Sequence, residues 1–362
     1  MTKEFFISED LLGTHSLSPD GCWAVSIAPG ESVRLYDTSG LMSYRVLEVT
    51  KTDRFGNLVT DENGELIKSP LSLVADAFAF NQTNGNGETT ELALITENGL
   101  SITRIDLARR SVQEPFSIND ALGLVQEISD SMGFVSESDL VTCTTIAYGP
   151  AETIFVGTTG GEVFLLTVGE AGELSLKKTL KVSDSGVVLL APQFLVDGSV
   201  SLYTDDDELL AAHLQSDEIA LIDRGDQSWL IESMNFHPEL EVFVMWRSNG
   251  DIMLSTTEFG SLLLNFAPYG NDPAHVLKSV IVVDEQMILA VTSKAVVALR
   301  ITYPASYHTT FEQSEADVEP FGDPELPLIE FRTLHEVRSG YRILAAVMPT
   351  TSLQDLTVLT TL

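Results

Sequence analysis

Positive charge is scarce in this chain. Only 20 lysines and arginines accompany 53 aspartates and glutamates, a formal net charge of −33 over 362 residues. So negative a surface repels phosphate backbones and anionic lipid, which argues against direct nucleic-acid binding, and it speeds encounter with basic partners. The same acidity also suits solubility of a large β protein, or adaptation to high salt. Cysteine is nearly absent. Cys22 and Cys143 alone give neither a disulfide framework nor a zinc spacing, and they read as two small buried residues. Reduced thiols fit an intracellular compartment, cytoplasmic or nuclear. No apolar run approaches the roughly 20 residues of a membrane span, and no basic-then-apolar secretory leader opens the sequence.

Signatures of catalytic and metal chemistry are missing too. No Gly-x-Ser-x-Gly occurs, and His15, His213, His237, His275, His308 and His335 are scattered singly, without ligand spacing. The glycine-rich stretch Gly157-Thr158-Thr159-Gly160-Gly161-Glu162 lies between two apolar runs and carries no lysine, so it reads as a hairpin turn and not as a phosphate loop. Asp205-Asp206-Asp207-Glu208 and Asp61-Glu62-Asn63-Gly64 lack the alternating ligands with which a loop wraps calcium. No catalytic residue, cofactor or metal is therefore expected from sequence. A site assembled from several blades around a central channel would escape such a reading.

What the chain has is a repeat. Phrases of apolar run, turn, apolar run, Gly/Asp/Asn turn, third run and a more polar outer run recur seven times at about 40 to 55 residues, the period of a β-propeller. We label the four strands of a phrase a to d. The first phrase comprises Thr14 to Ser18, Cys22 to Ala28, Val33 to Tyr36 and Tyr44 to Val49; the second follows from Leu73, with Glu91 to Thr96 and Ser101 to Asp106. The third starts at Val141 and continues through Thr153 to Thr158 and Val163 to Thr167; the next begin near Gly186, Trp229 and His275. Asn249-Gly250 is the strongest hairpin signal in the chain.

Three runs remain at the end, Leu328 to Leu334, Tyr341 to Met348 and Leu356 to Leu362, one strand short of a blade. Glu4 to Ile7 is an apolar segment with no blade of its own, and pairing it beside the last strand closes the ring and removes its open edges. The expectation is thus an all-β fold, a single seven-bladed propeller over residues 1–362, with four-stranded antiparallel blades and an N-terminal strand completing the last.

Ser16-Leu17-Ser18-Pro19-Asp20-Gly21 and Asn235-Phe236-His237-Pro238 resemble the a-to-b turn of the WD40 family, and Val33-Arg34-Leu35-Tyr36-Asp37 resembles its strand c. The repeats are degenerate, with no Trp-Asp dipeptide and no recurring Gly-His pair. The resemblance implies a propeller of that general kind.

Three insertions interrupt the period, Lys51 to Pro70, Asn119 to Leu140 and Tyr303 to Pro327. All three are expected between strand d of one blade and strand a of the next. Such connections share a face with the b-to-c turns, and a face of this kind commonly binds partners. The first reads as a small hairpin, Leu58 to Thr60 and Glu65 to Ile67 flanking residues 61–64. The second reads as a helix with Leu122, Val125, Ile128 and Met132 on one stripe, and the third as an acidic loop.

On the same face Glu97, Glu162, Asp205, Asp206, Asp207 and Asp251 occupy b-to-c turns of blades two to five, an arc suited to a Lys/Arg-rich partner. Turn preference alone also accounts for aspartate there. Arg104, Arg109, Arg110, Lys177, Lys178 and Lys181 read as outer-strand rim contacts or edge protection. The expected role is a non-catalytic protein-interaction scaffold, a subunit of a larger assembly. A propeller hydrolase or lactonase using the channel, and an acidic chaperone of basic proteins such as histones, are the alternatives.

Overall fold

The structure, a computed structural model, describes residues 2–7, 14–27, 33–38, 44–45, 48–50, 59–61, 63–64, 68–70, 75–81, 88–109, 111–118, 141–169, 172–193, 198–224, 230–237, 240–256, 260–266, 275–303, 327–350 and 352–361. Strand β1 is Lys3–Ile7. Blade one holds β2 (Thr14–Leu17), β3 (Trp23–Ile27), β4 (Arg34–Asp37) and β5 (Tyr44–Arg45), followed by an arm in which β6 (Glu48–Thr50) pairs with β7 (Lys68–Pro70). Blade two holds β8 (Ala75–Phe80), β9 (Glu91–Thr96), β10 (Ser101–Asp106) and a broken outer strand, β11 (Ser111–Val112) and β12 (Phe116–Ser117), both paired with β10.

Blade three is β13 (Cys143–Tyr148), β14 (Thr153–Thr158), β15 (Glu162–Val168) and β16 (Leu174–Lys181); blade four is β17 (Val187–Pro192), β18 (Ser199–Thr204), β19 (Glu208–His213) and β20 (Glu218–Arg224). Blade five is β21 (Ile231–His237), β22 (Val242–Arg247), β23 (Asp251–Thr256) and β24 (Gly260–Asn265); blade six is β25 (Leu277–Asp284), β26 (Met287–Thr292), β27 (Ala295–Thr302) and β28 (Leu328–Glu336). Blade seven is β29 (Arg342–Val347) and β30 (Thr357–Thr361), with β1 beside β30. The molecule is a seven-bladed β-propeller.

The core explains why the middle strands are so apolar. Most central strands are covered on both faces, and successive side chains point to opposite sides, so one strand feeds two interfaces. In β9, Leu92 and Leu94 pack towards blade one while Ala93 and Ile95 pack towards blade three. In β26, Ile288 and Ala290 face blade five and Leu289 and Val291 face blade seven. The described apolar residues fall into seven clusters, one per junction between blades. Each fully buried Leu, Ile or Phe contributes about 1.5–3 kcal/mol. The junction of blades seven and one is the leanest, with Leu17, Ala24, Tyr36 and Leu359 buried and Phe5 packed against them.

Two expectations need correction at the seam. First, 328–336 is not the inner strand of blade seven but the outer strand of blade six, paired with β27 from Ala295↔Glu336 to Thr302↔Leu328. The insertion Tyr303 to Pro327 therefore joins strands c and d of one blade. Its ends meet on the face opposite the b-to-c turns, because successive antiparallel strands reverse direction. Second, blade seven has three strands, and β1 joins it parallel to β30, from Lys3↔Thr357 to Ile7↔Thr361. Strand β1 thus has the direction of a strand d but sits directly beside strand b, and it leads to β2 as every strand d leads to the next strand a.

Close approach dictates sequence at Gly99. This turn residue has φ +84°, and a Cβ there would lie 2.7 Å from Thr142 Cβ and 2.8 Å from Cys143 O. Only glycine tolerates both conditions.

Candidate functional site

The b-to-c turns and the entries to the blades share one face. Cys143 N donates to Gly99 O at 2.8 Å, Thr159 N to Thr142 O at 2.8 Å, Asp205 N to Gly186 O at 2.9 Å and Ser248 N to Leu230 O at 2.8 Å. The arc anticipated on that face divides into two kinds of carboxylate. Glu162 accepts the Thr158 hydroxyl at 2.6 Å, Asp207 accepts the Tyr203 phenol at 2.6 Å, and Asp251 accepts Asn249 Nδ2 at 2.8 Å. These three build their own turns, and Asp207 does so from a left-handed backbone, φ +59°. Glu97, Asp205 and Asp206 are exposed.

Of the insertions on this face, the arm is described at its base, where Thr50 pairs with Lys68, and at its turn, where Asp61 Oδ1 accepts Asn63 N at 2.8 Å. Thr60 forms a β-bridge beside that turn, while Leu58 and Glu65 to Ile67 lie outside the described residues. Leu122, Val125 and Ile128 lie outside the described residues, as does nearly all of 303–327.

The inner strands of all seven blades enclose a central channel of about 440 Å³. Leu17, Phe78, Ile146, Leu190, Met234 and Met348 line it in turn. Its described lining holds one imidazole, His237, and no carboxylate. Among the described residues no three His, Cys, Asp or Glu side chains converge as metal ligands.

Arg104 departs from its expected rim position. Its side chain is 3% exposed; Nη2 meets Glu91 Oε1 at 2.5 Å and Nη1 donates to Gly172 O at 2.8 Å. Tyr148 donates to the other Glu91 oxygen at 3.2 Å. The cluster ties blade two to blade three, and burial, then the Glu91 carboxylate, pushes the Tyr148 phenol well above its usual range. Lys177 and Lys178 do stand on the outer strand β16. Asp20 acts as a similar tie: Oδ1 accepts Ser18 Oγ at 2.5 Å and Cys22 N at 3.0 Å, while Oδ2 accepts Thr89 N of blade two at 2.9 Å. Nothing in the sequence marked that contact across 69 residues.

The cysteines differ. Cys143 is buried, its thiol pushed up to about 12 by burial, whereas Cys22 is exposed, contrary to expectation. The Cys22 thiol is also raised, first by local shielding and then by Asp20.

Among the described residues no helix is long and apolar enough to cross a membrane. Comparison with protein-family models and with curated proteins finds no match. The fold rests on the geometry alone, a ring of seven radial sheets closed between its first and last strands.

Proposed function

We propose that the protein is a non-catalytic scaffold of the WD-repeat kind, which binds Lys/Arg-rich segments of partner proteins inside an intracellular multiprotein assembly. The observation that carries this reading is the exposure of Glu97, Asp205 and Asp206 on turns that share a face with the connections between blades. Exposed carboxylates on a rigid rim hold guanidinium and ammonium groups without rearrangement. The whole-chain charge of −33 adds long-range steering towards such partners.

An arginine-rich peptide tests it by fluorescence anisotropy. Asp205→Asn/Asp206→Asn should weaken binding several-fold. Glu152→Gln/Asp284→Asn, an equal charge change on the opposite face, should leave it nearly unchanged. Equal weakening by both pairs would reduce the site to a uniform acidic coat, as an acidic chaperone would present, and would defeat the assignment to one face.

A further inference from the structure

We propose that β20, the outer strand of blade four, takes up an extended segment of a partner protein by strand addition, and that this segment has an apolar centre with Lys or Arg at both ends. Every residue of β20 is exposed. Ile219, Leu221 and Ile222 stand 42%, 52% and 53% open, and they include apolar groups on both faces of the strand. The register with β19 shifts between Leu209 and Leu210, which leaves Ile222 as the extra, unpaired residue of a bulge.

Neighbouring edges are treated differently. An unprotected edge strand invites pairing with another chain, and charged residues are the usual deterrent. Strand β16 has Lys177 and Lys178 in its middle, β28 interleaves Glu330 and Arg332, and β1 carries Lys3 and Glu4. In β24, Leu262 and Leu264 are buried and Leu263 is exposed. Strand β20 alone among these offers an uninterrupted Ile-Ala-Leu-Ile run to the outside.

Charge selects the occupant. One end of β20 carries Asp217 and Glu218; the other carries Asp223 and approaches Asp205 and Asp206 of the turn leading to β19. Lys178 reaches Asp217 at 2.9 Å, Arg224 reaches Glu208 at 2.7 Å and Arg247 reaches Asp223 at 3.7 Å, and the carboxylates outnumber these cations at both ends. A second copy would bring like charge against like along this edge, whereas cationic flanks meet opposite charge at each end. Backbone pairing supplies affinity in such a mode and alternate side chains supply selectivity. The surface shares Asp205 and Asp206 with the reading above and adds the β20 edge, so protection of 218–224 and sensitivity to Leu221→Lys separate it from binding at those turns alone.

The probe is a capped peptide with a Val-Thr-Val-Thr-Val centre and paired lysines at each end, added to the intact protein. Hydrogen exchange should slow about tenfold or more across 218–224, and Leu221→Lys, at an exposed position, should weaken binding by about tenfold or more. The same centre flanked by glutamates should bind at least as poorly. No protection of 218–224 at millimolar peptide overturns the proposal, as does equal binding of the acidic peptide or indifference to Leu221→Lys. A wild-type dimer that Leu221→Lys dissolves would also overturn it, by making a second copy the occupant.

Discussion

Replacing Arg104 by methionine removes a cation from the junction of blades two and three while preserving much of its bulk. The guanidinium is 3% exposed and Glu91 keeps 20% exposure, so the carboxylate left behind has limited access to water. Removing one member of a buried pair costs about 3–5 kcal/mol. Glu91 retains the Tyr148 hydroxyl at 3.2 Å and some hydration, which places the expected loss near the lower end, about 3 kcal/mol. The Gly172 carbonyl also loses its charged donor. Urea midpoints followed by tryptophan fluorescence measure the change. Arg104→Met/Glu91→Leu should recover most of the loss, because an apolar pair of similar volume is close to neutral against a buried ion pair. A single variant costing less than about 1 kcal/mol would refute the reasoning, for the pair would then behave as an exposed one. A double variant no better than the single would refute it equally.

Other consequences follow from the same geometry. The Tyr148 phenol is raised in the folded state, so below about pH 10 it is protonated whether folded or not and has no effect on the balance. Above that, the unfolded chain releases its proton first and stability falls by up to about 1.4 kcal/mol per pH unit. Tyr148→Phe should flatten urea midpoints measured from pH 9 to 11; an unchanged slope would place the loss elsewhere. Iodoacetamide should modify Cys22 about tenfold faster for each pH unit between 7 and 9 and should spare Cys143 until denaturant is added. Equal labelling of both in the native protein would contradict the packing of β13. Gly99→Ala should cost about 1–3 kcal/mol in urea melts, given its positive φ and the nearby Cys143 backbone. Asp20→Ala removes three hydrogen bonds, one of them between blades, and should cost about 2 kcal/mol by the same assay.

Much of the architecture was legible because each blade's middle strands must be apolar on both faces and must be separated by turns with special backbone angles. Glu91–Thr96, Ser101–Asp106 and Thr153–Thr158 fall where those rules put them. Position within a blade was harder to read. Leu328–Glu336 carries a good strand pattern, but nothing local says that it returns across 25 residues to pair with Ala295–Thr302. Strand β20 reads like a buried strand because apolar residues look alike in the second and the fourth place of a blade. Arg104 was misplaced for the converse reason: a cation suggests the rim until its partners, Glu91 on the neighbouring strand and the Gly172 carbonyl 68 residues away, are seen. The acidic arc was legible as a set of turns, yet the division between turn-building and exposed carboxylates depends on Thr158, Tyr203 and Asn249 side chains. Alternation of residues does not report those contacts.

Closure of the ring by a parallel first strand is the central claim about this fold. Disulfide trapping tests it in a Cys22→Ser background. Lys3→Cys with Thr357→Cys should oxidise to an intramolecular disulfide in the native protein, since these residues are register partners. Ile7→Cys with Thr357→Cys should not, because four residues of strand hold them about 13 Å apart. The opposite pattern, with 7 bonding to 357 and 3 remaining free, would mean an antiparallel seam, and failure of both pairs would mean that the first strand does not close the ring.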